Sequence, residues 1–171
     1  MKRLLSVVSA LALASVLGTS QASAQSLSLG VGGGVTIPTG NFSDAAKTGW
    51  HALANLGVDL QGGFGIRADA FYGQNTFKAG SGKFKLAGGL GNITYSLSHT
   101  PGVTPYLIGS AGLFNVKTDV TGSASSTKFT IGGGAGLKLS SFFVEGRFLS
   151  IQTSGGSSSF IPITAGFHFG I

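Results

Sequence analysis

The sequence predicts an all-β protein, an eight-stranded antiparallel up-and-down transmembrane β-barrel, on three observations. Only 9% of the residues are charged, whereas soluble proteins carry about 25%. Glycine is abundant, with 30 residues, and aromatic residues make up another 10%. Apolar residues alternate with small or polar ones through most of the chain, which is the period of a strand with two different faces. No segment after the amino-terminal apolar run is long and apolar enough to span a bilayer as a helix.

Residues 1–24 are expected to be a signal peptide that is removed on export. Two cations precede an apolar run over residues 4–17, and the small-residue cleavage sequence Ala-Ser-Ala ends just before Gln25. Loss of the two cations lowers the formal net charge from +6 to +4. The remaining residues 25–171 are expected to form one barrel domain. They contain no cysteine, which excludes a lipid anchor on cysteine and disulfide bonds.

The last twelve residues show the alternation most clearly. One face is wholly apolar and the other is small or polar, and the apolar face continues to Ile171. Such a face suits a barrel strand in lipid better than a strand at the edge of a soluble sheet. The two sets are Ile161, Ile163, Ala165, Phe167, Phe169 and Ile171, against Pro162, Thr164, Gly166, His168 and Gly170.

Seven further strands are predicted upstream, and Pro38 is expected to end the first because it has no backbone donor. The two faces of the fourth and fifth strands are not distinguished: either Leu90 points inward or a bulge resets the register. The predicted strands are residues 26–37, 50–60, 64–73, 83–97, 105–114, 128–139 and 142–151. Polar loops over residues 39–49, 74–82, 115–126 and 152–159 alternate with shorter turns, as in outer-membrane barrels with long external loops.

Several segments resemble a known family. GGGVTIPTGNFSDAAKTGWH, TPYLIGSAGLF, FFVEGRF and the terminal strand are similar to the outer-membrane β-barrel domain family, which includes the transmembrane domain of outer-membrane protein A and the opacity proteins. The end of the chain also resembles the sorting signal of that family at Thr164, Gly166, Phe169 and Ile171, although a terminal Phe is usual. The resemblance implies a monomer in the outer membrane, in contact with lipid and lipopolysaccharide. It also implies help from the barrel-assembly machinery and periplasmic chaperones.

Charged residues in the clear strands fall on the small and polar face. A Lys or Arg facing the middle of the bilayer would cost about 2–4 kcal/mol, and an eight-stranded barrel has an interior that side chains fill. Strands three and seven lie opposite each other in such a ring. We therefore predict an ion-pair network that plugs the lumen, with a gated ion path as the alternative role. Its members are Asp59, Arg67, Asp69, Lys138, Glu145 and Arg147.

A structural or surface-interaction role is the predicted function, without enzymatic activity. A narrow pore is one alternative, and a lipid A-modifying enzyme that uses His51 with Asp44 or Asp119 is another. Otherwise, His51 is a polar residue of the barrel mouth. A third alternative is a secreted soluble barrel that binds an apolar ligand and turns its apolar face inward.

The remaining polar and aromatic residues suggest no cofactor. Trp50, Tyr72 and Tyr95 are predicted to form interfacial aromatic girdles. The three histidines have no metal-ligand spacing, with His168 expected in the lumen and His99 in a turn. No stripe of basic residues is interleaved with aromatic ones, which argues against nucleic-acid binding.

Overall fold

The chain folds into a closed barrel of eight strands, as the alternation predicted. The computed structural model describes residues 27–79, 82–98, 102–119, 125–153 and 156–170, so the predicted signal peptide lies outside the described residues. Each strand pairs antiparallel with its neighbours in sequence, and the first pairs with the last. The strands are β1 (Leu27–Thr39), β2 (Gly49–Asp59), β3 (Phe64–Thr76), β4 (Lys83–Ser96), β5 (Thr104–Thr118), β6 (Ser126–Leu139), β7 (Phe142–Thr153) and β8 (Gly156–Gly170).

The two ends of the barrel differ. A five-residue helix, α1 (Asn41–Ala45), follows β1 and lies over one end, which we call the cap end. The other end, the turn end, contains the connections after β2, β4 and β6, including a 3-10 turn over Gln61–Gly63. Gly62 and Ser140 have positive φ angles in these tight turns. In the described part of the chain, no helix is long and apolar enough to cross a membrane.

Several strands extend further than the sequence predicted, namely β1, β3, β5, β6, β7 and β8. Pro38 does not end β1, which continues to Thr39. At this level β1 pairs only with β8, so the backbone donor that proline lacks is not needed on the other side. At the far end of the sheet, β7 and β8 pair as far as Thr153 and Gly156. The predicted fourth loop is therefore mostly strand, because serine and glycine still supply backbone hydrogen-bonding groups.

The structure also resolves the faces of β4 and β5. The pairing of β3 with β4 runs without a bulge, and Leu90 points into the lumen with 3% of its surface exposed. In β5 the inward set includes Tyr106, Ile108, Ser110 and Phe114. The alternation is blurred in the sequence because these strands present apolar residues to both lumen and exterior.

The exterior of the barrel is apolar. Leu, Ile, Val and Phe side chains of all eight strands are exposed there, among them Ile66, Ile93, Leu113 and Phe148. The predicted girdle residues are also exposed on this wall: Trp50 contacts Tyr72 toward the cap end, with ring centroids 5.7 Å apart. Tyr95 lies 4.9 Å from the ring of Phe64 toward the turn end. The soluble-barrel alternative required the opposite arrangement, with this apolar set in the interior, and is therefore wrong about the faces.

The lumen is filled by two kinds of core. The half toward the turn end holds the buried charged residues. The half toward the cap end holds a cluster in which Phe71, Phe114 and Phe160 pack with centroid separations of 5.2 to 6.2 Å. Above this cluster, Phe42 of α1 packs edge-on against Phe84 of β4.

Candidate functional site

The candidate site is the charged half of the lumen, and its first pair comes from one strand. Arg67 and Asp69 lie two residues apart in β3, so both side chains point inward. Arg67 Nε donates a hydrogen bond of 2.8 Å to Asp69 Oδ1, and its Nη2 donates one of 3.2 Å to Oδ2. The guanidinium of Arg67 therefore binds the carboxylate of Asp69 in a bidentate contact.

The second pair reaches this one from the opposite side of the barrel. Glu145 and Arg147 occupy equivalent inward positions of β7. Arg67 Nη2 donates to Glu145 Oε1 at 3.1 Å, and Arg147 Nη1 donates to Asp69 Oδ2 at 2.8 Å. Arg147 Nε also lies 2.8 Å from Glu145 Oε1 as an ion contact. Two cations and two anions thus form a neutral ring across the lumen, with at most 6% of each side chain exposed.

Neutral residues of β4 and β5 complete the ring. Tyr106 Oη donates to Glu145 Oε2 at 2.8 Å, and Arg147 Nη1 donates to Asn92 Oδ1 at 3.3 Å. Ser110 Oγ donates to the same oxygen of Asn92 at 2.6 Å. Sequence reasoning missed these three residues because they lie in the strands whose faces it left open. Tyr106 and Ser110 lie on the same face of β5, and two polar side chains on one face were the signal that could have identified the inward side.

Glycines of β6 provide the space for these long side chains. A Cβ atom at Gly134 would lie 2.9 Å from Cγ of Arg147, and one at Gly136 would overlap the ring of Tyr106. Real Cβ atoms do not approach side chains so closely, so β6 could not carry larger residues here without displacing the network. Gly134 and Gly136 therefore leave room for the side chains of Arg147 and Tyr106, and Gly134 also allows the backbone of β7 to approach closely.

Asp59 and Lys138 do not join the ring. Lys138 Nζ lies 3.5 Å from Asp59 Oδ1, but both side chains are substantially exposed at the turn end. The six charged residues predicted for the lumen therefore form two separate groups at different depths. The reason is the pairing register: Arg67 and Glu145 lie beside Gly57 and Gly136, so Asp59 and Lys138 are one inward position nearer the turn end.

His51 lies below α1 and is buried, with 2% of its surface exposed. Its ring is hydrogen-bonded to Thr36 Oγ1 at 3.1 Å and to Thr164 Oγ1 at 2.8 Å, and it stacks on Phe71. The partners of the ring are thus hydroxyl groups, whereas the enzyme alternative required a carboxylate to orient it. His51 points inward toward the cap end, as expected for a polar residue near the mouth, and its ring is fully packed there.

The other polar residues named from the sequence lie apart from one another. His168 is half-buried in the lumen and stacks on Phe143 toward the turn end. Asp44 is exposed on α1. Asp119 pairs with Lys85 at 3.0 Å beyond the end of β5, and the hydrogen bond from that ammonium lowers the pKa of Asp119. Across the described ranges, no three His, Cys, Asp or Glu side chains are grouped to hold a metal ion. His99 lies outside those ranges.

The predicted sorting residues occupy both faces of β8. Thr164 points inward to His51, and Gly166 lies against Phe143, where a side chain would not fit. Phe169 is exposed on the outer wall, and Ile171 lies outside the described residues.

Comparison with known proteins finds similarity in structure alone. No protein-family model matches the chain, and no curated protein matches it in sequence. Neisserial surface protein A has a TM-score of 0.65 and 17% identity, over 85% of this chain and 97% of that one. Ail, the attachment invasion locus protein of Yersinia pestis in complex with the heparin analogue sucrose octasulfate, has a TM-score of 0.53 and 18% identity, over 85% and 97%.

The amino-terminal barrel domain of OprF from Pseudomonas aeruginosa is similar over 85% of this chain and all of that one, with a TM-score of 0.54 and 14% identity. Identities this low establish a common fold and no more. The protein therefore has the fold of the eight-stranded outer-membrane β-barrels, as the resemblance of its sequence segments predicted.

Proposed function

We propose that this protein is an integral outer-membrane barrel with a structural or surface-interaction role, whose lumen is closed to diffusion. The observation that carries the proposal is the combination of an apolar outer wall with a neutral ring of buried ions across the interior. An apolar wall is stable in contact with lipid tails. A closed barrel also provides a hydrogen-bond partner for every backbone N–H and C=O group within the bilayer.

The filled lumen argues against the alternative of a diffusion pore. The contacts between Arg67 and Glu145 and between Arg147 and Asp69 join opposite strands across the lumen at that level. Toward the cap end, the fully buried rings of Phe114 and Phe160 fill the next level. A permeating ion would have to break paired charges and then cross an apolar layer.

The surroundings of His51 support a non-enzymatic role. Its two ring nitrogens are occupied by Thr36 and Thr164, and Asp119 is held in an ion pair with Lys85. A base, a nucleophile and an orienting acid in mutual reach are needed for acyl-transfer chemistry. We therefore propose no lipid A-modifying activity.

The distribution of charge supports the surface-interaction part of the proposal. The ring is neutral and Asp59 balances Lys138, so the net +4 expected after signal removal belongs to the cap end. Lys85 and Lys117 are directly opposite each other in the β4–β5 pair, and Asp119 provides one anion beside these two cations. The cap end carries Lys47, Lys78, Lys83, Lys85, Lys117 and Lys128 against Asp44 and Asp119.

We propose that these lysines meet anionic groups at the cell surface, with the phosphates of lipopolysaccharide as the first candidates. Ail was solved with a sulfated ligand, which is a precedent for anion binding within this fold. The sorting residues of β8 are proposed to be recognised by the barrel-assembly machinery, after periplasmic chaperones have delivered the chain. The barrel itself is proposed to be a monomer.

Location and orientation are tested together in cells. The boiled and unboiled protein of a purified outer-membrane fraction should differ in gel mobility, since a closed barrel resists unfolding in detergent.

The chain has no cysteine, so Asp44→Cys at the cap end and Ser141→Cys at the turn end each introduce a single label site. A membrane-impermeant maleimide should label the first variant in intact cells and the second only after the outer membrane is opened. Recovery of an unshifted protein in the soluble periplasm would overturn the proposal.

A further inference from the structure

A cavity of about 350 Å³ opens at the cap end, above the aromatic cluster of the lumen. Its volume lies within the range of small-molecule sites. The walls come from α1 and from the cap-end halves of β4 to β8, so neighbouring and opposite strands both contribute. The site is separate from the ring of ions, which lies toward the other end of the barrel.

The lining of the cavity is arranged in two levels. On β5 and β7, Val116 and Ile151 lie one inward position deeper than the hydroxyl residues Thr118 and Thr153. β4 contributes only apolar residues, and α1 adds Phe42. The apolar lining is Phe42, Ala45, Phe84, Leu86, Val116 and Ile151. The cavity thus has an apolar lower part and a rim of hydroxyl and amide groups.

One cation in this lining has no ion-pair partner in the described part of the chain. Lys128 of β6 is half-buried, lies at the level of the apolar residues, and makes no ion pair with any described residue. Of the five acidic residues of the chain, four are held in the ion pairs described above, and the fifth, Asp44, is exposed on α1. An unpaired ammonium beside an apolar wall is complementary to a ligand that joins a negative charge to a hydrocarbon chain.

We propose that this cavity binds a single-chain anionic amphiphile, a fatty carboxylate, with its chain against the apolar lining and its carboxylate at Lys128. An uncharged amphiphile would leave the ammonium unpaired, and a small anion would leave the apolar lining exposed. The fatty carboxylate satisfies both parts of the cavity.

Protection of an engineered cysteine tests the proposal. The variant Ser126→Cys places a thiol in the lining, and Thr127→Cys places one on the opposite face of the same strand. Each protein is purified, reconstituted into detergent-free lipid nanodiscs and checked for heat-modifiable mobility. The rate of modification by a charged maleimide is then measured with decanoate, decanol or acetate.

Decanoate at saturation should slow labelling of the lining thiol about tenfold or more, and should leave the thiol on the outer face unaffected. Acetate should have no effect. Lys128→Gln should raise the decanoate concentration that gives half protection about two- to fivefold, the range for a half-exposed ion pair, and should not alter the weaker effect of decanol. Lys117→Gln, on the outward face of β5, is the matched control and should change neither value.

Equal protection by decanoate and decanol, or equal protection of the two thiols, would overturn the proposal. If Ser126→Cys does not fold, Thr118→Cys offers a second lining position. Val116→Trp should fill the cavity and abolish protection while the mobility shift is retained. The readout uses reconstituted protein, so its outcome is independent of where the protein resides in the cell.

Discussion

The two halves of the lumen differ in how they fill the same barrel. Toward the turn end, Arg67, Asp69, Glu145 and Arg147 are buried as a neutral ring of hydrogen-bonded ions. Toward the cap end, aromatic and aliphatic side chains pack as they would in the core of a soluble domain. A ring of ions is strongly destabilised when one member is removed, because the others stay buried and unpaired. An apolar cluster is destabilised in proportion to the volume removed.

The largest effect is expected for Glu145→Ala. This change leaves two buried guanidinium groups with one carboxylate, and breaking a buried ion pair in this way costs about 3–5 kcal/mol. The midpoint of urea unfolding in detergent micelles should fall accordingly. An unchanged midpoint would show that the ring contributes nothing to stability.

A double variant sharpens this test. Removing Arg67 together with Glu145, both as leucine, leaves the 2.8 Å pair of Arg147 and Asp69 with balanced charge. The double variant should therefore be more stable than Glu145→Ala, although it removes the hydrogen-bonding groups of two residues rather than one. The opposite order would mean that packing, and not charge balance, determines the stability of this half.

The next effect is expected in the apolar half. Phe114 is completely buried, so Phe114→Ala should lower the free energy of unfolding by about 3 kcal/mol, because apolar burial is reduced and a cavity remains. Phe129 of the neighbouring strand faces outward with half of its surface exposed and provides a control of the same residue type. Phe129→Ala should have a clearly smaller effect on the urea midpoint, and equal effects would contradict the assignment of faces.

A smaller effect is expected where the two halves meet. Thr164→Val removes the hydroxyl group that contacts His51 Nε2 and leaves that nitrogen buried without this partner, at a cost of about 1–2 kcal/mol. Thr164→Ser keeps the hydroxyl and should restore most of the stability in the same urea titration. If Thr164→Val leaves the urea midpoint unchanged, the hydrogen bond to His51 contributes nothing to stability; if serine is as destabilising as valine, the methyl group contributes as much as the hydroxyl group.

The exposed pair at the turn end should contribute least. Asp59→Asn removes an ion pair whose side chains are 51% and 32% exposed, so the stability change should stay below about 1 kcal/mol. High salt should abolish even this difference between variant and parent, because exposed pairs are screened. A destabilisation as large as that of Glu145→Ala would place Asp59 in the buried ring.

The exposed pair of Lys85 and Asp119 at the cap end should make stability depend on pH. The folded pKa of Asp119 is lowered by Lys85, so this pair stabilises the barrel above the unfolded pKa and the contribution is lost as pH falls through the folded one. Lys85→Gln should raise the pKa of Asp119, which carboxyl carbon NMR can follow. An unchanged titration would show that the two groups do not interact in solution.

The architecture of the barrel could be predicted from local properties of the chain. Period-two alternation in β1, β6 and β8, the low charge content and the predicted export signal together predicted a lipid-facing barrel of eight strands. They also predicted that Arg67 and Glu145 lie on inward faces, since strand geometry sends alternate residues to opposite sides. Alternation and composition depend only on residues that are close in the chain, so the sequence alone is enough to predict them.

Other features depend on pairing between distant strands and became clear only in the folded barrel. The inward faces of β4 and β5 follow from the register, because both of their faces carry apolar residues. The separation of Asp59 and Lys138 from the buried ring follows from the pairing register, which places both one inward position nearer the turn end than the ring. The cap-end cavity and its unpaired Lys128 likewise required the closed barrel, since their lining converges from α1 and five strands that are far apart in the chain.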